Sequence, residues 1–390
     1  MSAPLIIIGA GQAAQQAIAS LQAEGYAGEI ILFGDEGCLP YQRPPLSKAY
    51  LSGEMSAERL ELRPAAFYDE RRVDLRLSTP IRALLPAEHA VEDAGGKRHS
   101  YSKLLIATGT RARTLPVPGA DLPGVFTLRT IADVNRLKPA MQPGAKLVVI
   151  GGGYVGLETG AMAKKLGLEV SVVEAAPRIL ARVAGEETAA EIAALHTRNG
   201  VSLLTGTGLA GFEGKDRVTG VRLADGRVLP ADLVLLAVGA VPNVELAQAA
   251  GIALDNGIAT DAATRTSLPD IYAAGDCASF PSTRYGRRLR LESVQNAIDQ
   301  AKAAASALLG GTPHYDPVPW FWSDQFDLKL QIAGLSSGAT RVERDVSEGK
   351  GAIRAYLGER LIAVDSLNDP KSHLIARKML AESVGSARAA

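Results

Sequence analysis

Two stretches of this chain ask for the same piece of backbone. "LIIIGAGQAAQQAIASL" begins at Leu5 and "KLVVIGGGYVGLE" at Lys146; each is an apolar run that ends in spaced glycines and continues as a helix-like pattern. A buried strand followed by such a turn reads as the opening of a nucleotide-binding unit. Its glycines permit a tight turn and let the backbone approach a pyrophosphate at the helix N-terminus. In the first unit the glycine positions are Gly9, Gly11 and Ala14, and the next strand, "EIILFG", delivers Asp35 where a carboxylate can accept hydrogen bonds from a ribose diol. In the second they are Gly151, Gly153 and Gly156, and "EVSVVE" ends at Glu174. One such turn is weak evidence, because glycine-rich turns also serve simply to pack strand on helix. The full order of strand, turn, helix, strand and acid, met twice, reads as duplication of a whole module. Two modules imply two dinucleotides. Glu174 favours the free ribose diol of NADH, since a 2′-phosphate there would meet like charge; Arg178 and Arg182 nearby weaken that preference without reversing it.

Composition narrows the remaining choices. At 390 residues the chain is long enough for two or three cores, and its 42 basic and 42 acidic residues leave no overall field to draw nucleic acid or an anionic membrane. No stretch approaches the ~20 apolar residues of a membrane helix, and the N-terminus has no basic leader, so a cytoplasmic location is expected. Cys38 and Cys277 are the two cysteines, far apart. Their spacing excludes a disulfide framework, a cysteine-ligated zinc and an adjacent redox dithiol. No metal site is expected. The five histidines, His89, His99, His196, His314 and His373, form no catalytic constellation, and none is assigned a role.

Other segments order the modules. "KLLIATGTRARTLPVPG", with Thr108 and Gly109 in its turn, and "DLVLLAVGAVPN", with Gly239, read as strands ending at small-residue turns. They stand at either end of the second module, as two crossings between an outer domain and an inserted one would. "IYAAGDCAS" ends another buried strand at Gly275 and Asp276, where a carboxylate can approach a polyol chain. "ESVQNAIDQAKAAASAL" reads as a helix from about Ser293, its N-terminus able to stabilise negative charge.

Together these pieces resemble the two-dinucleotide flavoprotein reductases. "LPYQRPPLSKAYL", "RLESVQNAIDQA" and "PWFWSDQFDLKLQIAG" are similar to segments of the bacterial ferredoxin reductases that serve cytochrome P450 and ring-hydroxylating oxygenase systems, the putidaredoxin reductase-like branch. That resemblance implies an α/β fold of two Rossmann-like domains, glutathione reductase-like, with a small C-terminal α+β domain. The FAD domain is expected over 1–110 and 237–312, the NAD domain over 111–236, and the C-terminal domain over 313–390. Its short strand-like runs and the helical "PKSHLIARKMLAES" fit the last, and the tail Gly385–Ala390 is expected to fray.

The resemblance also carries residues over. At FAD it implies Gly9, Gly11 and Ala14 at the pyrophosphate, Asp35 at the ribose, Ile81 near the adenine, and further contacts from Arg43, Lys48, Thr108, Gly109, Arg129, Gly275, Asp276 and Val294. At NADH it implies Gly151, Gly153, Gly156, Val155, Glu174, Arg182 and Gly239. Lys48 and Glu158 are the expected catalytic pair, set beside flavin N5, with "PP" stiffening the approach to the helix that carries Lys48. The expected reaction splits a hydride from NADH into single electrons for a [2Fe–2S] ferredoxin. Arg284, Arg287, Arg288 and Arg290 in "RYGRRLR" would dock that partner, with Lys329, Trp320 and Trp322 bordering the face. Rubredoxin reductase is the nearest alternative, and an apoptosis-inducing-factor-like redox-regulated binding protein is another. Cys38 reads as a loop thiol, because it directly precedes "LPY" in a segment that keeps the lysine.

Overall fold

Every side chain of the strand Leu5–Ile8 is buried, a pattern that demands cover on both faces of a sheet. In the computed structural model, which describes residues 3–382, this strand lies at the centre of a five-stranded parallel sheet. Its order is Ile271–Ala273, Lys103–Ile106, Leu5–Ile8, Ile30–Phe33, Val73–Arg76. The helix Gln12–Ala23 covers one face, with Ala13, Ala14, Ala17 and Ile18 buried in a core shared with Ala301, Ala304 and Ala305 of the helix Val294–Leu308. Alanine suits that contact, since small side chains let two helices and a sheet approach closely.

The second module repeats this plan. Its parallel sheet runs Ser202–Leu204, Glu169–Val173, Lys146–Ile150, Leu233–Leu236, Val125–Thr127, with the helix Tyr154–Lys165 after the glycine turn. The repeat reaches beyond the fingerprints. Each module also carries a three-stranded antiparallel meander just before its later parallel strand: Ile81–Leu85, Ala90–Asp93 and Arg98–Ser100 in the first, Leu209–Gly214, Val218–Leu223 and Val228–Pro230 in the second.

The chain divides into two compact units. One comprises 1–42, 58–111 and 241–319, the other 43–57, 112–240 and 320–390. Along the sequence the first unit is left after Arg111 and rejoined after Ala240. Two features were not expected: the segment 43–57 belongs with the second unit, and the C-terminal domain joins that same unit, beginning at Trp320. That domain is a five-stranded antiparallel sheet in the order Trp320–Gln325, Leu328–Gly334, Arg360–Leu367, Lys350–Leu357, Arg341–Ser347, followed by the helix Pro370–Glu382. The strand Arg341–Ser347 escapes a reading by apolar alternation because it is an edge strand with charged residues at four of its seven positions. Expected fraying at Gly385–Ala390 lies outside the described residues. No helix among the described residues is long and apolar enough to cross a membrane.

Candidate functional site

The two glycine turns are built alike, atom for atom. Gly9 has φ +102° and Gly151 φ +106°; a Cβ on Gly9 would sit 2.3 Å from the Ala107 carbonyl oxygen, and one on Gly151 2.5 Å from that of Ala237. Backbone meets backbone there, so only glycine fits. Gly156 is closed by the same crowding, its Cβ site lying 2.3 Å from the Gly151 carbonyl oxygen, whereas Ala14 holds the matching place in the first turn and is fully buried. Gly11 and Gly153 differ: an added Cβ would meet nothing within 4 Å at either. Both are helix N-caps with extended backbone and no side-chain cap. Their open space and uncapped N–H groups are what a pyrophosphate needs.

Each acid follows its strand. Glu174 accepts hydrogen bonds from the backbone N–H of Gly152 and of Ala176, both at 2.8 Å, which orients the carboxylate and leaves lone pairs for a ribose diol. Asp35 is exposed at the end of its strand. The crossing turn is clipped by reciprocal bonds: Thr108 Oγ1 donates to the Asn243 carbonyl at 2.8 Å, and Asn243 Nδ2 donates to the Thr108 carbonyl at 2.9 Å. Gly109 and Gly239 both have positive φ, 61° and 101°. Arg182 is exposed, and its guanidinium reaches within 3.1 Å of where a Cβ on Gly239 would stand. Val155 is exposed at the start of its helix, and Ile81 packs partly buried against the first core. Gly275 donates its N–H to Gln300 Oε1 at 2.8 Å, a fully buried glutamine that sequence reasoning passed over. Ser293 caps the helix that follows by accepting from the Asn296 N–H, and Val294 is its first residue.

Lys48 and Glu158 are brought together. Lys48 Nζ donates to Glu158 Oε2 at 2.5 Å, Ser47 Oγ donates to the same oxygen at 2.7 Å, and Ser323 Oγ donates to Oε1 at 2.7 Å. Glu158 is only 7% exposed. A lone carboxylate buried this deeply would be costly; a cation and two hydroxyl donors offset that cost. One expectation is corrected here. Lys48 is not carried on a helix but joins two short ones, ending Pro44–Ser47 and preceding Ala49–Ser52, with φ −131°. The two prolines prescribe the tight turn before it, and the turn aims the lysine. Arg43, which begins that turn, donates Nη1 to the Arg129 carbonyl at 2.8 Å, so these two also meet.

Comparison with known proteins agrees with this geometry. The family model described as pyridine nucleotide-disulphide oxidoreductase matches residues 3–301, and one described as reductase C-terminal matches 320–390. The rhodocoxin reductase of Rhodococcus erythropolis is 45% identical, over 97% of this chain and 89% of that protein. The biphenyl dioxygenase system ferredoxin–NAD(+) reductase component of Paraburkholderia xenovorans is 38% identical, over 96% and 92%. Among solved structures, the covalent putidaredoxin reductase–putidaredoxin complex superposes with a TM-score of 0.94 at 38% identity, covering 97% of this chain and 93% of that one. The chain belongs to the pyridine nucleotide-disulphide oxidoreductases. Within them it falls among the ferredoxin-reductase-like flavoproteins, electron-transfer enzymes that use FAD and NADH.

For a flavoprotein of this kind the remaining candidates sort by what they touch. The arginines of the cluster are not equally exposed. Arg288 Nη2 donates to the carbonyls of Thr260 and Ser279, and Arg290 Nη1 donates to the Asp276 carbonyl at 3.2 Å and to Glu292 at 2.6 Å. The Arg290 side chain is 11% exposed, whereas Arg287 is exposed. These residues form a hairpin, Ala278–Ser282 against Arg287–Leu289, with Asp316 receiving the N–H groups of Thr283 and Arg284. Lys329 is exposed but paired with Asp324 at 2.7 Å. Trp320 and Trp322 lie with ring centroids 6.1 Å apart, and the Arg377 guanidinium sits over Trp320. Cys38 is half-buried and Cys277 fully buried, and burial raises the Cys277 thiol. His99 is held by Asp93 and Arg76, His196 by Gln325, and His373 is buried.

Proposed function

We propose that this enzyme takes hydride from NADH and passes electrons singly to a [2Fe–2S] ferredoxin that feeds an oxygenase, either a cytochrome P450 or a ring-hydroxylating enzyme. The Lys48–Glu158 pair carries the reading. Its carboxylate, Glu158, is buried and hydroxyl-anchored on the helix that the second glycine turn begins, and Lys48 reaches it from the turn after Pro44–Ser47, where an enzyme of nucleophilic chemistry would need a nucleophile and a base. Bound together, nicotinamide and flavin supply the conversion of one hydride into two single electrons. The protein's own residues bind and orient. The turn at Gly9, Gly11 and Ala14, with Asp35, is the FAD seat; the turn at Gly151, Gly153 and Gly156, with Glu174, is the NADH seat. Lys48 holds a cation at the place of hydride transfer and Glu158 keeps it aimed. Arg287 is the member of the expected docking cluster free to steer an acidic partner, by encounter rate more than by affinity. The enzyme works where NADH is supplied, in the cytoplasm.

The test is anaerobic stopped-flow mixing of the purified holoenzyme with NADH, then with NADPH, followed by oxidised [2Fe–2S] ferredoxin. Fast flavin bleaching by NADH and prompt reoxidation by ferredoxin are expected. Prompt reoxidation by rubredoxin with none by ferredoxin would transfer the enzyme to the rubredoxin reductases. Slow bleaching and a persistent complex with NAD would end the reading in favour of a redox-regulated binding protein.

A further inference from the structure

The carboxylate of Glu158 is the end of a longer buried line of polar side chains. Ser323 Oγ receives Gln325 Nε2 at 3.1 Å, and Gln325 Oε1 lies 2.7 Å from His196 Nε2. Ser323, Gln325 and His196 are each fully buried. The strand Trp320–Gln325 alternates, so Phe321, Ser323 and Gln325 share one face. Phe321 packs edge-on against Tyr154 at 4.7 Å, and Ser323 meets Glu158, four residues further along the same helix. Strand residues two apart thus match helix residues four apart. Gln325 continues to His196 on the helix Glu186–Arg198.

Donor counting fixes the direction of every proton in this line. A carboxylate only accepts, so the single hydroxyl proton of Ser323 goes to Glu158. Gln325 must then present its NH2 to Ser323 and its oxygen to His196, and the imidazole must carry its proton on Nε2. Nδ1 is left as a bare lone pair with no hydrogen-bond partner among the described residues, and the imidazole packs edge-on against the Phe326 ring with centroids 5.1 Å apart. Burial lowers the affinity of this imidazole for a second proton, with the Gln325 bond opposing, so the neutral form with one defined tautomer is the stable one. Three groups on two elements are thereby polarised toward one carboxylate.

We propose that Ser323, Gln325 and His196 are positioning residues, a proton-ordered line by which the C-terminal sheet and the helix Glu186–Arg198 hold the Glu158 carboxylate in line with Lys48. The proposal rests on the reading above that Lys48 and Glu158 act at the place of hydride transfer. It has a consequence no merely structural role shares. In Glu158→Gln the new amide turns its NH2 away from Lys48 and toward Ser323, which must now accept. Ser323 then donates to Gln325, the Gln325 amide flips, and His196 exchanges its Nε2–H tautomer for Nδ1–H.

The test is ¹⁵N-histidine NMR of the holoenzyme, in which His196 is one of five histidines. In the wild type a neutral Nε2–H imidazole is expected for His196. Glu158→Gln is expected to move its ring nitrogens to the other tautomer's shifts, and the same change in a Ser323→Ala background is expected to leave them where Ser323→Ala alone puts them. His196 signals indifferent to Glu158→Gln would overturn the line itself. The kinetic arm measures the limiting rate of flavin reduction at saturating NADH. Ser323→Ala should lose roughly tenfold, the worth of one charge-assisted hydrogen bond, with the NADH dissociation constant little changed, and Ser323→Thr, which keeps the hydroxyl, should recover most of it. Gln325→Met serves as a second variant that breaks the line without touching Glu158, and should lose rate in the same direction. Coupled NMR signals with wild-type limiting rates in both Ser323→Ala and Gln325→Met would show that the pair is not at the reacting place, and would overturn that reading and the positioning role together.

Discussion

Gly153→Ala separates what the fold needs from what the ligand needs. At Gly153 the backbone is extended, φ −83° and ψ 177°, which alanine adopts without strain. A Cβ there would have no protein atom within 4 Å. The fold should therefore be unharmed, or gain about 0.4–1 kcal/mol from a stiffer unfolded chain. The added methyl stands at an uncapped helix N-terminus, in the space proposed for the NADH pyrophosphate. Forcing one methyl's worth of excess volume into such a contact costs about 1–3 kcal/mol, which converts to a roughly 5- to 150-fold weaker dissociation constant. The assay follows the rate of flavin bleaching against NADH concentration, alongside the melting temperature and the FAD content of the purified variant. Gly151→Ala is the contrast: φ +106° and a Cβ site 2.5 Å from the Ala237 carbonyl predict loss of the module itself. Unchanged NADH affinity in Gly153→Ala would refute the claim that the nucleotide approaches this backbone. Loss of FAD with NADH binding intact would show the two turns assigned to the wrong cofactors.

Three further outcomes follow from the geometry. Burial raises the Asp365 carboxyl to about 6, opposed by the Thr188 hydroxyl that donates to it. The folded protein then keeps a proton the unfolded chain releases from about pH 4 upward, so this group's stabilisation is full below pH ~4 and is lost as pH rises through ~6. Asp365→Asn retains the Thr188 bond and should raise stability at pH 7 by up to about 3 kcal/mol, with the gain vanishing near pH 4; a calorimetric melting series across that range checks it. Arg290→Ala should loosen FAD, because Arg290 ties the Asp276 carbonyl to Glu292, whereas Arg287→Ala should leave FAD in place and raise only the ferredoxin KM at low salt; FAD loss in both, or in neither, would contradict this division. Cys38→Ser, a near-isosteric change at a half-buried thiol with no assigned role, should leave NADH-driven ferredoxin reduction within about twofold of the wild type, and a collapse of turnover would restore a redox role to that thiol.

Much of the candidate site was legible because its parts are local. A glycine turn needs its glycines within six residues, so Gly9–Ala14 and Gly151–Gly156 could be read directly, and the helix beginning at Ser293 was marked by its own N-cap. The arginine cluster was less legible for the opposite reason. Four arginines close in sequence imply a patch only if they point outward, and hairpin pairing turned Arg288 and Arg290 toward carbonyls that lie elsewhere in the chain. Lys48 was expected on a helix approached through "PP", yet the two prolines set a single tight turn that ends at the lysine.

The two modules, their order and their acids can be read along the chain. Each shows in short runs of residues, glycine where φ is positive and apolar stretches where a strand is covered on both faces. Tertiary structure alone decided what surrounds Glu158. Ser47 and Ser323 lie far from it in the chain, and a serine's type says nothing about which acceptor its one proton will find. Gln325 and His196 join the same line only because an antiparallel sheet at the end of the chain packs its inward face on two helices of the second module. A polar residue at an inward position of "WFWSDQ" was the one local sign of it, since a buried polar group must find a partner, and the partner is supplied by the fold.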